Sequence, residues 1–158
     1  MSSSLVLIAR RTSEDLNFFR NWTEYERGFG DVTGDFFIGL DKLHAITKSQ
    51  RQELYVHLEA FMGYIRHAQY SEFPIESDIG AYRISKLGSY TGTAGDSLVL
   101  AKNQTFSTYG RDNDGNRTHG ALVAQRLSPE VGLCFFAAVA VANPILSATY
   151  CLIYTGGC

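Results

Sequence analysis

From Glu53 to Glu59 the chain alternates without exception. Leu54, Val56 and Leu58 fall on one side, and Glu53, Tyr55, His57 and Glu59 on the other. A period of two is the mark of a half-buried strand. His57 lies on the wetter face and reads as a surface residue rather than a ligand. Leu40, Leu43 and Ile46 fall three apart, which places them on one face of a short helix. Leu5 to Ala9 form an apolar run ahead of Arg10 and Arg11, so residues 5–11 read as a short buried strand. A signal peptide needs an apolar stretch of roughly 7 to 15 residues, and this shorter run predicts a protein that begins in the cytosol. Further strands are expected over residues 64–73 and 81–87. Residues 31–34 read as a turn, and two glycines flanking Phe29 predict tight backbone there. Residues 88–96 contain three glycines, but their spacing matches no phosphate-binding loop and no lysine follows at the required place. They read as a loop.

A length of 158 residues suits one globular domain, which buries roughly 70% of its unfolded surface. Twenty aromatic rings, 13% of the chain, can supply a core and exclude low-complexity disorder. A net charge of −2 gives no electrostatic reason to expect nucleic acid or an anionic membrane surface. No nucleophile elbow or cysteine–histidine signature is present, and the expectation is that the protein is not an enzyme. The charge is unevenly placed: all thirty charged residues precede residue 131, and none follows. The three cysteines, Cys134, Cys151 and Cys158, lie in that uncharged tail. An odd count fits neither a closed disulfide framework nor a four-ligand zinc site, and His44, His57, His67 and His119 lack chelating sequence spacing. Residues 131–153 are long enough to span a bilayer, at about 20 residues per span, but Asn143-Pro144 interrupts the run. A membrane anchor is one reading. A frame-shifted tail or two buried strands is the preferred one.

Residues 105–116 carry the most specific chemistry. Asp112 and Asp114 at alternate positions, followed by Gly115 and Asn116, can turn several oxygens toward one centre. Calcium takes six to eight hard oxygen ligands, including backbone carbonyls. Val123 stands where an EF-hand needs a glutamate, so the loop is not of that type. Two carboxylates predict a weak site, about 10⁻⁴ to 10⁻³ M. By its residues alone such a segment is more often a solvated turn than a metal site. Glycosylation sequons occur at Asn21, Asn103 and Asn116, of which Asn103 is the better surface candidate.

Residues 17–31, 34–47, 82–98 and 106–114 follow one another in the pattern of a known domain. The segment Asn21-Trp22-Thr23-Glu24-Tyr25-Glu26-Arg27-Gly28-Phe29-Gly30 and the segment Phe37-Ile38-Gly39-Leu40-Asp41-Lys42-Leu43-His44 resemble the fibrinogen C-terminal globular domain. Tyr82-Arg83-Ile84 and Tyr90-Thr91-Gly92-Thr93-Ala94-Gly95-Asp96 continue it, with wording similar to arthropod ficolin-like and tachylectin-like members. The resemblance implies an α+β fold, mostly antiparallel sheet with short helices and long loops. It covers residues 5–116 and leaves 117–158 as a divergent, uncharged tail. It further implies calcium held by Asp112 and Asp114 with backbone carbonyls near Asn116 and Thr118. An extracellular, non-enzymatic recognition role in innate immunity or cell adhesion follows, with acetylated carbohydrate or a cell-surface protein as partner. Past Asn116 the pattern lapses: the cysteine expected near Gly120, the following G-x-W-W and the ligand-pocket motif are absent. An impaired pocket is therefore expected, with a truncated or frame-shifted product, or a membrane-anchored domain, as the alternatives.

Overall fold

The computed structural model describes residues 4–13, 15–60, 62–96, 98–108, 111, 122–123 and 146–155. Strand β1 (Ser4–Arg11) opens the fold and helix α1 (Trp22–Arg27) follows it. Two short strands, β2 (Phe29–Gly30) and β3 (Phe36–Phe37), lead into helix α2 (Leu40–Ser49). A hairpin of β4 (Gln52–Ala60) and β5 (Ile65–Tyr70) comes next, then β6 (Tyr90–Gly92) and β7 (Phe106–Ser107). Finally come β8 (Leu122–Val123) and β9 (Leu146–Thr155). Seven of these strands form one antiparallel sheet in the order β2-β3-β1-β9-β4-β5-β6. The pair β7-β8 is separate and parallel.

The patterned elements form where their periods place them. In β4, Gln52, Leu54, Val56 and Leu58 are buried and the residues between them half-buried. In α2, Leu40 and Leu43 are fully buried, with Ile46 packed against the core. Helix α1 has only six residues, too short to persist alone, and is set by its cap. Asn21 Oδ1 accepts from the Glu24 N–H at 2.9 Å, and Glu24 Oε2 accepts from the Asn21 N–H at 3.0 Å. This reciprocal pairing satisfies two otherwise orphan donors. The Asn21 N–H and the neighbouring Arg20 hold the Glu24 carboxyl below its ordinary pKa. Tyr25 and Trp22 of α1 turn inward, where Tyr25 meets Phe29, Phe37 and Phe106 at 5.1 to 5.6 Å between ring centres.

Two glycines let α1 approach α2. Gly28 has φ +92° and Gly39 φ +105°, a region that L side chains rarely adopt. A Cβ on Gly28 would lie 2.5 Å from the Ile38 carbonyl oxygen, and one on Gly39 2.6 Å from the Arg27 carbonyl carbon. The tight backbone expected around Phe29 is thus a close crossing of two backbone segments.

Three expectations need correction. Residues 81–87 are not a strand: Ala81 and Tyr82 have φ of 50° and 49°, and Ile84 makes only an isolated bridge to Ile75. The alternation there reflects burial of Tyr82 and Ile84 under a turn rather than a pleat. Within the expected loop 88–96, Tyr90–Gly92 pairs with β5 and forms the sheet edge. Leu146–Thr155 is a strand lying between β1 and β4, which is incompatible with a membrane helix running on to residue 153. Among the described residues no helix is long and apolar enough to cross a membrane. Flanked by β1 and β4, the strand has its backbone polar groups taken up by the ladder on both sides. Cys151 at its middle is fully buried.

Candidate functional site

Strand β7 is the stem of the aspartate loop. Phe106 is fully buried between Tyr25 and Trp22, at 5.2 and 5.7 Å between ring centres. Thr108 and Arg111 exchange both backbone bonds, N–H to carbonyl, at 3.0 and 3.1 Å. The guanidinium carbon of Arg111 then lies 3.8 Å from the centre of the Trp22 ring. A cation held over the indole face is attracted by the ring quadrupole. On the far side of the loop, Leu122 and Val123 return to pair with Phe106 and Ser107. Adjacent strands lie about 4.8 Å apart, so Arg111 and Leu122, which flank the segment between them, are both fastened to residues 106–108.

The four expected calcium positions, Asp112, Asp114, Asn116 and Thr118, lie in that segment and outside the described residues. Two observations bear on whether the stem fits a cation. The Thr108 hydroxyl is buried, and Oγ1 has no hydrogen-bond partner among the described residues. A buried oxygen without a partner is costly and is found where an ion, water or ligand completes it. The donor set itself, two carboxylates with carbonyl oxygens, is the hard-oxygen kind that calcium selects. Among the described residues no group of three or more histidine, cysteine, aspartate or glutamate side chains is placed to hold a metal.

The glycosylation candidates fall in different settings. Asn21 is exposed, but its amide oxygen caps α1. Asn103 is exposed at φ 64°, with its N–H bonded to the Ile84 carbonyl at 2.8 Å. Asn116 lies outside the described residues. The role of Trp22 and Arg111 in holding the loop is invisible in the sequence, because the two lie far apart along it and join only through the fold.

A family model described as fibrinogen beta and gamma chains, C-terminal globular domain, matches residues 1–128. Mouse angiopoietin-related protein 1 is 37% identical over 116 residues, which cover 72% of this chain and 24% of that protein. Mouse tenascin-R is 40% identical over 121 residues, covering 74% of this chain and 8% of that protein. The chain thus spans about a quarter or less of the length of these relatives. Among solved structures, the fibrinogen-like globe domain of human ANGPTL2 superposes with a TM-score of 0.78 at 27% identity, covering 94% of this chain and 79% of that one. Lamprey fibrin D-dimer, in complex with the peptide Gly-His-Arg-Pro-amide, shares the fold at 22% identity and a TM-score of 0.74. The fold, the ordered motifs and the family match agree, and the chain belongs to the non-enzymatic family of fibrinogen C-terminal globular domains.

Proposed function

We infer that this chain is a calcium-stabilised recognition module that works outside the cell and binds a protein, peptide or acetylated-sugar ligand without transforming it. One observation carries the calcium reading: the segment bearing Asp112 and Asp114 is flanked by Arg111, bonded to Thr108, and by β8, paired with β7, beside a buried Thr108 hydroxyl that has no partner among the described residues. Fixed loop ends lower the entropy lost when a flexible oxygen cage closes on an ion. Asp112 and Asp114 supply the charge, and carbonyls near Asn116 and Thr118 complete the set. When bound, calcium neutralises the two carboxylates and cross-links the loop. Arg111 and Thr108 orient the stem toward it.

The incorporation of β9 into the centre of the sheet supports the module reading over that of a frame-shifted, non-functional product. A foreign tail has no reason to pair along most of its length with both β1 and β4, which lie far back in the sequence. The pocket is impaired relative to the family's lectin-like members, since its motifs are absent from the sequence. Isothermal titration of CaCl2 into the full chain tests the metal claim. Wild type should bind weakly, about 10⁻⁴ to 10⁻³ M, and D112A/D114A should not bind at all. Equal heats from both proteins would remove calcium from the account. Passage over acetylated-sugar resin should give little retention, and strong calcium-dependent elution would contradict the impaired pocket.

A further inference from the structure

We propose that His57 and His67 together hold a divalent transition ion on the outward face of β4 and β5, with Glu59 positioning the His57 ring. The two histidines lie on adjacent antiparallel strands and are direct partners in the register. Antiparallel partners are of two kinds, and the backbone bonds tell which kind this is. The His67 N–H donates to Thr93 Oγ1 at 3.2 Å, and its carbonyl accepts from the Thr93 and Ala94 N–H groups at 2.8 and 3.0 Å. Both groups therefore face away from β4. The pair is the non-hydrogen-bonded kind, in which opposed Cβ atoms approach to about 4.5–5.5 Å. Both side chains are half-exposed. Two imidazoles carried at that separation can grip one ion, a juxtaposition that spacing along the sequence does not reveal.

The surroundings favour a cation. The outward positions of β4 are Glu53, Tyr55, His57 and Glu59, and those of β5 are Ile65, His67 and Gln69, with no lysine or arginine among them. Arg10 of β1 lies across β9 and holds its guanidinium over the Tyr150 ring at 5.9 Å. His57 Nε2 lies 3.0 Å from Glu59 Oε1. With Nε2 donating to that carboxylate, Nδ1 keeps a lone pair and the ring is held in one orientation, as in carboxylate–histidine–metal arrangements. The His67 ring stacks on Tyr55 at 5.7 Å and 14°, which limits its rotation. Two imidazole donors select Zn²⁺, Cu²⁺ or Ni²⁺ over calcium, with water filling the remaining positions. This site is separate from the aspartate loop and does not depend on it.

Calorimetric titration of the tag-free full chain with NiCl2 in excess CaCl2 tests the proposal. One saturable site is expected, unchanged in Cys134→Ser/Cys158→Ser. His57→Gln and His67→Gln should each weaken it at least tenfold, and Glu59→Gln by roughly tenfold. Melting temperatures of these variants report whether they fold. On the folded parent, Ni²⁺ should broaden the ring-proton resonances of His57 and His67 while sparing those of His44. Absence of saturable binding, binding that survives His57→Gln/His67→Gln, or broadening that misses these two rings would overturn the proposal.

Discussion

Tyr82 donates its phenolic hydrogen to Asp41 of α2 at 2.5 Å, while Glu26 of α1 approaches the same oxygen at 3.0 Å. One hydroxyl thus sits between carboxylates from two helices, beneath a turn whose residues Ala81 and Tyr82 both have positive φ. Burial, and then Asp41 and Glu26, push the Tyr82 pKa far above its ordinary value. The phenol stays neutral at every ordinary pH and remains a donor. Tyr82→Phe keeps the ring, which lies 5.6 Å from Trp22, and removes only the bond. A hydrogen bond to a charged group contributes about 1.5–3 kcal/mol, so Tyr82→Phe should melt roughly 3–12 °C lower. Tyr82→Phe/Asp41→Asn should recover part of that loss. An unshifted melting temperature for Tyr82→Phe would deny the contact any structural weight.

The stack of Arg111 on Trp22 makes a second prediction, because two effects of the same side chain oppose each other. As an anchor, Arg111 holds the base of the aspartate loop and should aid calcium. As a cation beside Asp112, it should repel the ion. Arg111 is exposed, so its cation–π contact contributes about 0.5–1 kcal/mol, whereas the repulsion between an exposed cation and the ion is screened by salt. The anchor should dominate, so Arg111→Ala should weaken calcium binding severalfold and lower the melting temperature. Tighter calcium binding in Arg111→Ala would reverse that ranking.

The sequence displays some of this and hides the rest for identifiable reasons. Strand β4 and helix α2 are legible because one face of each meets the core and the other meets water, which writes the period into the side chains. Helix α1 is too short to show a period and is masked by its aromatic residues, although Asn21 and Glu24 spell a capping box three residues apart. The same asparagine also opens a sequon, which obscures its capping role. Strand β9 has no charged residue to mark an outward face, so no polar–apolar period shows in its sequence. In residues 81–87 Tyr82 and Ile84 are buried without a pleat, which a linear pattern cannot distinguish from a strand. The aspartates of the loop are visible in the sequence; the fastening of its base to Trp22 is not.

Asp35 provides a pH-dependent test at the acid end. Burial raises its pKa, but bonds from Thr12 and Ser13 outweigh that and leave it below the ordinary carboxylate value. Its two oxygens accept from both N–H groups and both hydroxyls of those residues at 2.8 to 3.0 Å. A carboxyl depressed in the folded state contributes stability that is present above its unfolded pKa, near 3.9, and is lost as pH falls through the folded value. Asp35→Asn should therefore lower stability at neutral pH and flatten the acid limb of the melting profile. Parallel acid limbs in the two proteins would show that Asp35 is not linked to folding.

Cys151 supplies the alkaline counterpart. Its thiol is fully buried in the central strand, unpaired in any disulfide, and burial pushes its pKa far up. A raised folded value means stability that is whole below the unfolded pKa, near 8.5, and declines as pH rises above it. Cys151→Ala should lessen that alkaline decline. Only the thiolate is nucleophilic, so the native thiol should resist a disulfide reagent. In denaturant the wild type should titrate one thiol more than Cys151→Ala, whereas under native conditions the two should titrate alike. Cys151→Ser places a hydroxyl among apolar neighbours and should cost about 1–3 kcal/mol. If native wild type yields the extra thiol, the strand carrying Cys151 opens readily, and the sheet order built around it would have to be abandoned.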